Sequence, residues 1–247
     1  IIAFIIVLNT VIIPMSNYKK AISLLNEGKI INAYESFAAL NGYRDSATKA
    51  DEIFDQYMTE KLKIAEVGDN LFFGAYEQDN NTSNGKENIE WLVLAKEEDK
   101  ALVISRYALD CQPYNTSDAA VTWETCSLRK WLNETFVSNA FSADEQNMIQ
   151  NTTVTGDKNP EYSASPGNDT TGKVFLLSIT EAKEYFSTDE VLKGVPTDYA
   201  IAQGAYTSSH YLVGDKATCW WWLRSSGCFQ YNAAYVNNVG TIYYSGS

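Results

Sequence analysis

The C-terminal segment holds side chains suited to binding rather than to catalysis. From Cys219 to Ser247 it reads CWWWLRSSGCFQYNAAYVNNVGTIYYSGS, with three consecutive tryptophans followed by tyrosine, asparagine, serine and glycine. Flat aromatic rings supply contact area at a small conformational cost, and short amide and hydroxyl side chains supply adaptable hydrogen bonds. This composition predicts that the segment contacts a ligand through stacking and hydrogen bonding.

The candidate ligand contacts are the aromatic and amide side chains of this segment, together with one arginine. They are Trp222, Arg224, Tyr231, Asn232, Tyr235, Asn237, Asn238, Tyr243 and Tyr244. A plain sheet edge would show similar residues, so a structural role is the alternative. The period of a β-strand does not place all of these side chains on one face.

Alternation along a strand sorts the tryptophans between two faces. Trp220, Trp222 and Arg224 share one face, and Trp221 and Leu223 share the other. We expect Trp221 and Leu223 in the core and Trp222 and Arg224 near the rim, because arginine is almost never buried without a partner. The alternative is that the whole triplet is core and that Arg224 is tied to an internal carboxylate.

No set of residues is arranged in the sequence for catalysis. The single histidine, His210, has no nucleophile beside it, and a lone histidine is typically structural. Glu97, Glu98 and Asp99 are typical of a solvated hairpin tip. The chain has no glycine-rich phosphate loop, no Gly-x-Ser-x-Gly and no His-Glu-x-x-His motif. We therefore expect a protein that is not an enzyme and uses no cofactor.

The four cysteines do not form a metal motif. No two of them are spaced as Cys-x-x-Cys and only one histidine is present, so a structural zinc site lacks its ligands. Disulfides between Cys111 and Cys126, or between Cys219 and Cys228, would form in an oxidising compartment. Buried free thiols explain the four residues equally well.

Length and charge limit the classes of partner. The 247 residues suffice for one sizeable domain and a smaller part. Residues 1–62 carry 6 Lys and Arg against 7 Asp and Glu, whereas the remainder carries 13 against 24. A strongly acidic domain disfavours nucleic acid and anionic lipid as partners. We expect an extracellular glycan, peptide or protein instead.

The first residues favour a membrane anchor. IIAFIIVLNTVIIP has only Asn9 and Thr10 as polar residues, which predicts the end of a truncated transmembrane anchor over residues 1–15. A signal-peptide core or a buried helix is the alternative. Lys19 and Lys20 alone would favour a cytoplasmic domain, by the positive-inside rule. Because we expect the protein to recognise a ligand at the cell surface, we instead expect a single-pass protein of the cell membrane with its main domain outside.

Residues 16–63 have the pattern of paired helices. NYKKAISLLNEG, KIINAYESFAALNG and YRDSATKADEIFDQYMTEKL carry apolar residues at three- and four-residue steps, and Gly28 and Gly42 stand where helix C-caps need a left-handed residue. Ala33-x-x-x-Phe37 and the following Gly-Tyr-x-Asp-Ser resemble tetratricopeptide-like repeats of bacterial surface proteins. We expect a short spacer between the membrane and the next domain.

Residues 64–247 mix strand and helix patterns, which predicts an α+β domain. Strands are predicted in VGDNLFFGAYEQ, in IEWLVLAKEEDKALVISRYALD, in KVFLLS and in the C-terminal runs CWWWLRS, AAYVNN and TIYYS. Helices are predicted in CSLRKWLNETF, FSADEQNMIQ and ITEAKEYF, the last two with capping boxes at Ser142/Glu145 and Ser178/Glu181. Residues 155–172 are predicted to be a long loop.

These motifs resemble an uncharacterised domain family abundant in Gram-positive gut bacteria. TWETCSLRKWLNETF, AFSADEQ, KVFLLSITEAKEYF, WWWLRS and AAYVNNVG carry the resemblance, from about residue 66 to the end. The family is similar to the C-type-lectin fold of formylglycine-generating enzymes and of the variable proteins of diversity-generating retroelements. This implies that a C-terminal antiparallel sheet displays a ligand-facing surface. Family members usually continue into a VRPAL-like closing strand, so we expect the domain to be C-terminally truncated.

The resemblance leaves three function classes open. The first is a non-enzymatic surface domain that binds a ligand through its C-terminal sheet. The second is an enzyme of the formylglycine-generating or cell-wall-modifying type, although no cysteine here lies in a copper motif of those enzymes. The third is a structural module of the envelope. Retroelement mutagenesis at adenines could produce 22 of the 23 residues from Ser225 to Ser247, all except Gln230.

Calcium is weighed because C-type lectins coordinate sugars through it. The oxygen-bearing candidates are Asn159, Glu161, Asn168 and Asp169. Their order and spacing do not match the usual lectin site. We therefore expect no metal.

Overall fold

The structure, a computed structural model, describes residues 12–246. Helices make up 34% and antiparallel strands 25% of it, which confirms the predicted α+β class. The chain divides into two compact units. The first contains the described residues up to Asp69 together with Val93–Val103, and the second contains Asn70–Leu92 and the chain from Ile104 onward. The domain boundary between residues 63 and 64 stays a prediction.

The first unit is built on three helices, as the apolar spacing predicts. They are α1 (Ile13–Asn26), α2 (Ile30–Ala38) and α3 (Ser46–Ile64). Gly28 and Gly42 have φ angles of 71° and 78°, the left-handed conformation expected after a helix end. Ala33 and Phe37 are fully buried in the core of this unit.

The predicted anchor lies mostly outside the described residues. Of residues 1–15, only the last four are described, and Ile13 already begins α1. Within the described part of the chain, no helix combines the length and the apolar character needed to cross a bilayer.

The second unit contains short helices and antiparallel strands. The first strands are β1 (Asn70–Tyr76), β2 (Glu87–Glu97) and β3 (Lys100–Ser105). The next elements are α4 (Ser127–Trp131), a π-helical turn (Leu132–Phe136), α5 (Val137–Ala140), α6 (Ala143–Met148), β4 (Thr152–Val154) and β5 (Thr170–Gly172). The last elements are α7 (Ile179–Tyr185), α8 (Asp189–Leu192), α9 (Asp198–Ala202), β6 (Thr207–Val213), β7 (Lys216–Cys219), β8 (Trp221–Ser226), β9 (Ala233–Val236) and β10 (Ile242–Gly246). The ends of β2 and β3 around their shared turn belong to the first unit. The strands form sheets in the orders β1-β2-β3, β10-β9-β8, β4-β5 and β6-β7.

Several local predictions are confirmed. β2 and β3 form the predicted hairpin with Glu98 and Asp99 at its tip, where Glu98 has a φ of 38°. Both predicted capping boxes are present, at the start of α6 and at the start of α7. The three C-terminal runs form β8, β9 and β10.

The strand predicted for KVFLLS is wrong, because side-chain and backbone groups of distant residues satisfy its backbone. Asn133, in the π-helical turn, accepts from the N–H of Lys173 and donates to the carbonyl of Val174. Further along, Arg224 donates from its guanidinium to the Leu176 carbonyl and from its backbone N–H to the Leu177 carbonyl. Residues 173–178 therefore run as irregular chain beside β8.

A large hydrophobic core lies within the second unit. It joins residues of β1, β2, the segment 109–141, β4 and β9. Its largest buried members are Tyr76, Tyr114, Trp123, Phe136 and Phe141. Burying side chains of this size is the main source of stability for a domain. The C-terminal sheet joins this core through Ala233, with Trp222 packed against it.

Candidate functional site

The β10-β9-β8 sheet presents two different faces. Tyr235 in the central strand pairs with Trp222 on one side and with Tyr243 on the other. The next position, Val236, pairs with Trp221 and Ile242. Because neighbouring positions point to opposite faces, the tyrosines and Trp222 lie on one face while fully buried Val236 lies on the other.

Four aromatic side chains form a continuous line, which we call the aromatic row: Tyr206, Trp220, Tyr235 and Tyr243. Successive ring centroids are 5.2, 5.2 and 5.9 Å apart, and successive ring planes are tilted by 46°, 38° and 35°. Such separations are those of rings in direct contact. The row continues from the loop before β6 to the edge strand β10.

The aromatic row is exposed and leaves polar groups free. Tyr206, Trp220 and Tyr243 are 58%, 49% and 47% exposed, and Tyr235 is half-buried between its neighbours. Within residues 12–246 the hydroxyls of the three tyrosines have no hydrogen-bond partner. The row can therefore offer a ligand ring surfaces and three hydroxyl groups.

The turn between β9 and β10 orients one ring of the row. Asn238 accepts a hydrogen bond from Trp220 Nε1 at 3.1 Å, which orients the indole. Asn237 accepts from the backbone N–H of Val239 and of Thr241, so its side chain holds the turn itself. Both asparagines position the row, and Asn237 already uses its acceptor oxygen inside the turn.

Helix α8 packs against this turn through its first residue, Asp189. Asp189 accepts from the Thr241 hydroxyl at 3.0 Å. Gly240 has a φ of 86°, and a β-carbon there would collide with the Asp189 carbonyl. The turn therefore requires glycine at this position and lies directly on Asp189.

Trp222 supports the row rather than forming its surface. Its ring centroid lies 6.1 Å from that of Tyr235 and 5.6 Å from that of the buried Tyr114, and its Nε1 donates to the Gln112 carbonyl at 3.1 Å. Trp222 is half-buried and packs against the core. On the other face, Leu223 is fully buried as predicted, whereas Trp221 is half-buried.

The expected rim position of Arg224 is wrong. The register between β8 and β9 shifts between Trp222 and Ser226, so the alternation that starts at Trp222 does not extend to Arg224. Its side chain is only 2% exposed and is paired with Glu181 of α7, with Nη2 and Oε1 2.7 Å apart. The internal carboxylate of the alternative interpretation is therefore Glu181, and Arg224 cannot contact a ligand directly.

Asn232 is a second candidate that the structure buries. Its relative exposure is 9%, and its Nδ2 donates to the Gly246 carbonyl while its Oδ1 accepts from Cys228 Sγ. The side chain bridges the β8–β9 loop and the end of β10. Asn232 therefore has a structural role.

Tyr231 is exposed, but it lies on the β8–β9 loop rather than in the aromatic row. It is stacked on Phe229 with ring centroids 5.5 Å apart, and both rings are more than half exposed. Gln230 between them points inward, donating to the carbonyls of Val121 and Ser165 and accepting from the Ser165 N–H. This anchor presents the two flanking rings to solvent.

Tyr244 lies on the face opposite to Tyr243. Its hydroxyl donates to Glu161 at 2.6 Å, and its ring contacts Tyr162 at 5.2 Å. Burial and the hydrogen bond to Glu161 raise the pKa of Tyr244 to about 12. The candidates are thus distributed over three places, and Tyr235 and Tyr243 are the two that lie in the aromatic row.

Sequence reasoning did not include Tyr206, Trp220 and Phe229 among the candidates. Trp220 was placed on the same face as Trp222, and its position beside that candidate is a signal that could have found it. Tyr206 has no such signal, because it meets Trp220 only through the β6-β7 hairpin, in which Thr207 pairs with Cys219.

The four cysteines are free thiols. Cys126 and Cys219 are buried, and Cys111 and Cys228 are partly exposed. Burial raises the pKa of the Cys219 thiol to about 12 and also raises that of Cys126. Since the thiolate is the reactive form, neither buried thiol has the lowered pKa of a nucleophile.

Alkylation near neutral pH is expected to distinguish the exposed from the buried thiols by their reactivity. Iodoacetamide should modify Cys228 in the folded protein and should modify Cys126 and Cys219 only after unfolding, because the buried thiols are both inaccessible and protonated. Peptide mass spectrometry of native and urea-treated samples measures this directly. Native labelling of Cys219 at the unfolded rate would contradict its burial.

The oxygen-rich residues weighed for calcium are engaged in internal hydrogen bonds. Asn159 is buried and donates to the Ser226 carbonyl, Glu161 accepts from Tyr244, and Asp169 accepts from the Gly156 N–H. Asn168 donates to Glu124. These segments hold the long loop against the C-terminal sheet.

A carboxylate cluster that the sequence did not reveal lies between β1 and β2. Oxygens of Glu77, Asp79 and Glu87 lie within 4.8 Å of one another. Glu77 accepts from the Asn81 N–H at 2.8 Å and Asp79 accepts from Asn84 Nδ2 at 2.7 Å. Glu87 accepts from backbone N–H groups at the start of the loop. The three carboxylates therefore stabilise the loop.

Comparison with known proteins places the chain in a family. A search of the curated proteins and a search of the solved structures each found no match to the chain. The family model described as Domain of unknown function (DUF6273) matches residues 98–247, which include the whole aromatic row. The chain belongs to this family of uncharacterised domains.

Proposed function

We propose that this protein is a non-enzymatic recognition protein that binds a glycan, a peptide or a protein through its aromatic row. The observation that carries the proposal is the row itself, with three rings about half exposed and three hydroxyls that have no partner among the described residues. Binding surfaces are enriched in tyrosine and tryptophan and are depleted in charge at their centres. Residues 199–247 contain one Asp, one Lys and one Arg, but 11 aromatic residues.

Preorganisation supports the same proposal. Trp220 is held by Asn238, and the turn that carries Asn238 is held by Asn237 and Asp189. A surface whose side chains are already ordered loses less conformational entropy when it binds. Ordering of this kind is expected where the exposed rings serve recognition.

The finer relationship to C-type-lectin-like variable proteins is part of the proposal. The C-terminal antiparallel sheet agrees with it, as does the position of Gln230. This is the one residue between Ser225 and Ser247 that adenine mutagenesis could not produce, and it anchors the β8–β9 loop. A mutable loop would need such an unchanging anchor. A neighbouring reverse transcriptase gene and repeated nucleotide segments at the locus would support this relationship.

We also propose where the binding domain lies relative to the membrane. Residues 1–15 would anchor the protein in the cell membrane, and the helices of residues 16–63 would form a tetratricopeptide-like spacer. The binding domain would then stand outside the cell, where a glycan, peptide or protein ligand is accessible. The apolar composition of residues 1–14 supports the anchor.

The experiment compares the protein with an aromatic-row variant on panels of immobilised oligosaccharides and peptides. Full-length protein is expected to bind members of one panel, and the Trp220→Leu/Tyr243→Leu variant is expected to lose that binding. The matched control is Phe72→Leu, since Phe72 is 55% exposed on β1 and lies outside the aromatic row. Equal binding by the variant and the wild type, or no binding by either, would overturn the proposal.

A further inference from the structure

We propose that the ligand of the aromatic row is a basic polypeptide segment, whose Lys or Arg side chains lie on the rings beside Asp189. This inference rests on the proposed function, because it names the chemistry of the ligand for the same surface. It narrows the proposed ligand from a glycan, a peptide or a protein to one chemical class.

The charge of the second unit favours a cationic partner. Its residues carry 10 Lys and Arg against 19 Asp and Glu. Complementary charge steers partners together and suppresses pairing between like charges. A second copy of this chain has the same acidic excess, so the charge disfavours self-association through the row.

Within residues 12–246, the row has no cation of its own. Of the two basic residues after position 198, Arg224 is buried against Glu181, and Lys216 lies over the Tyr107 ring, 4.9 Å from its centroid. Among the described residues, no Lys or Arg lies over a ring of the aromatic row. Lys and Arg are attracted to the faces of tryptophan and tyrosine rings. The free hydroxyls of the row would also accept hydrogen bonds from a guanidinium.

Asp189 places a carboxylate beside the turn that leads to Tyr243. It is exposed and accepts one hydrogen bond, from Thr241, two residues before Tyr243. In the described part of the chain it has no ion-pair partner, whereas its neighbour Glu190 is paired with Lys193. The turn packed on Asp189 also carries Asn238, which orients Trp220. A cation on the row would therefore meet rings and a carboxylate together.

A neutral glycan would not use this charge. Its affinity would depend on stacking and on neutral hydrogen bonds, and would change little with salt. A basic segment would bind more weakly at high ionic strength, because both the field of the domain and Asp189 would be screened. Salt dependence together with a charge-removing variant of Asp189 therefore separates the two ligand classes.

The test uses an oligo-arginine peptide, a glycine-serine peptide of equal length and a neutral oligosaccharide panel, each titrated against full-length protein. Asp189→Asn keeps an acceptor for Thr241 and removes the charge. Its matched control is Asp118→Asn, an exposed aspartate outside the row. We expect oligo-arginine to bind, and Asp189→Asn and Trp220→Leu each to weaken it about two- to fivefold. Asp118→Asn should leave the affinity unchanged.

Three outcomes would overturn the inference. If Asp189→Asn and Trp220→Leu bind oligo-arginine as the wild type does, the peptide is attracted only by the overall acidic charge. If a neutral oligosaccharide or the glycine-serine peptide binds in a manner that depends on Trp220, and oligo-arginine does not, the basic ligand is wrong while the proposed function stands. If no probe depends on Trp220, both proposals fail.

Discussion

Replacing Arg224 with methionine is expected to lower the free energy of unfolding of the second unit by about 3 to 5 kcal/mol. The guanidinium pairs with Glu181 and donates to the Leu176 carbonyl and, at 3.4 Å, to the Thr155 carbonyl. Methionine fills a similar volume but has no donor. The substitution therefore leaves buried acceptors without partners, which costs far more than an exposed ion pair contributes.

Glu181 has a second role that increases the effect. The carboxylate that receives Arg224 also accepts from the Ser178 N–H in the capping box of α7. One pair of side chains thus joins β8, the irregular segment before α7 and the first turn of α7. Glu181→Gln is also expected to destabilise the unit strongly, because it leaves the buried Arg224 without a counter-charge.

Urea denaturation followed by tryptophan fluorescence measures this prediction. All six tryptophans belong to the second unit, so the signal reports that unit. The matched control is Lys193→Met, which removes the more exposed Lys193–Glu190 pair and should cost less than about 1 kcal/mol. The account of Arg224 would be wrong if both methionine variants had the same stability.

Replacing Trp220 and Tyr243 together with leucine is expected to lower the affinity for the panel ligand about tenfold to a hundredfold. Both rings are about half exposed and contact Tyr235, so the variant removes the two outer contacts of the central ring. Contact residues of this type commonly contribute more than about 1 kcal/mol each to binding.

Stability is expected to change little in the same variant. Cross-strand aromatic pairs contribute only about 0.2 to 1 kcal/mol each, and neither ring is buried in the core. Urea denaturation should therefore give nearly the wild-type free energy of unfolding. Tyr231→Leu, which removes an equally exposed ring on the β8–β9 loop, should keep the affinity. If Tyr231→Leu lost affinity and the row variant did not, the binding site would lie on that loop instead.

Local patterns predicted much of the fold because their physical causes are local. The capping boxes at Ser142 and Ser178 depend on residues three positions apart, and the C-terminal strands depend on runs of aromatic and β-branched residues. KVFLLS has an equally strong strand pattern. It is irregular because Asn133 and Arg224, both more than 35 positions away, take its backbone hydrogen bonds.

The candidate site was predicted only in part for a similar reason. Strand alternation predicted that Trp220 and Trp222 share one face, and both rings contact Tyr235, but a register shift after Trp222 turned Arg224 inward to a partner 43 positions away. The contact between Tyr206 and Trp220 requires the β6-β7 hairpin to bring their positions together. Neither the shift nor the hairpin contact has a signature in the residues themselves.

Chemical-shift mapping of the indole N–H groups tests most directly whether the aromatic row is the ligand surface. The best ligand from the panels is titrated into full-length ¹⁵N-labelled protein, with resonances assigned by Trp→Phe substitution. The Trp220 resonance is expected to shift with saturation. The Trp221 resonance is expected to stay in place, because that indole donates to the Leu192 carbonyl on the opposite face. A saturating ligand that leaves Trp220 unchanged would contradict the account.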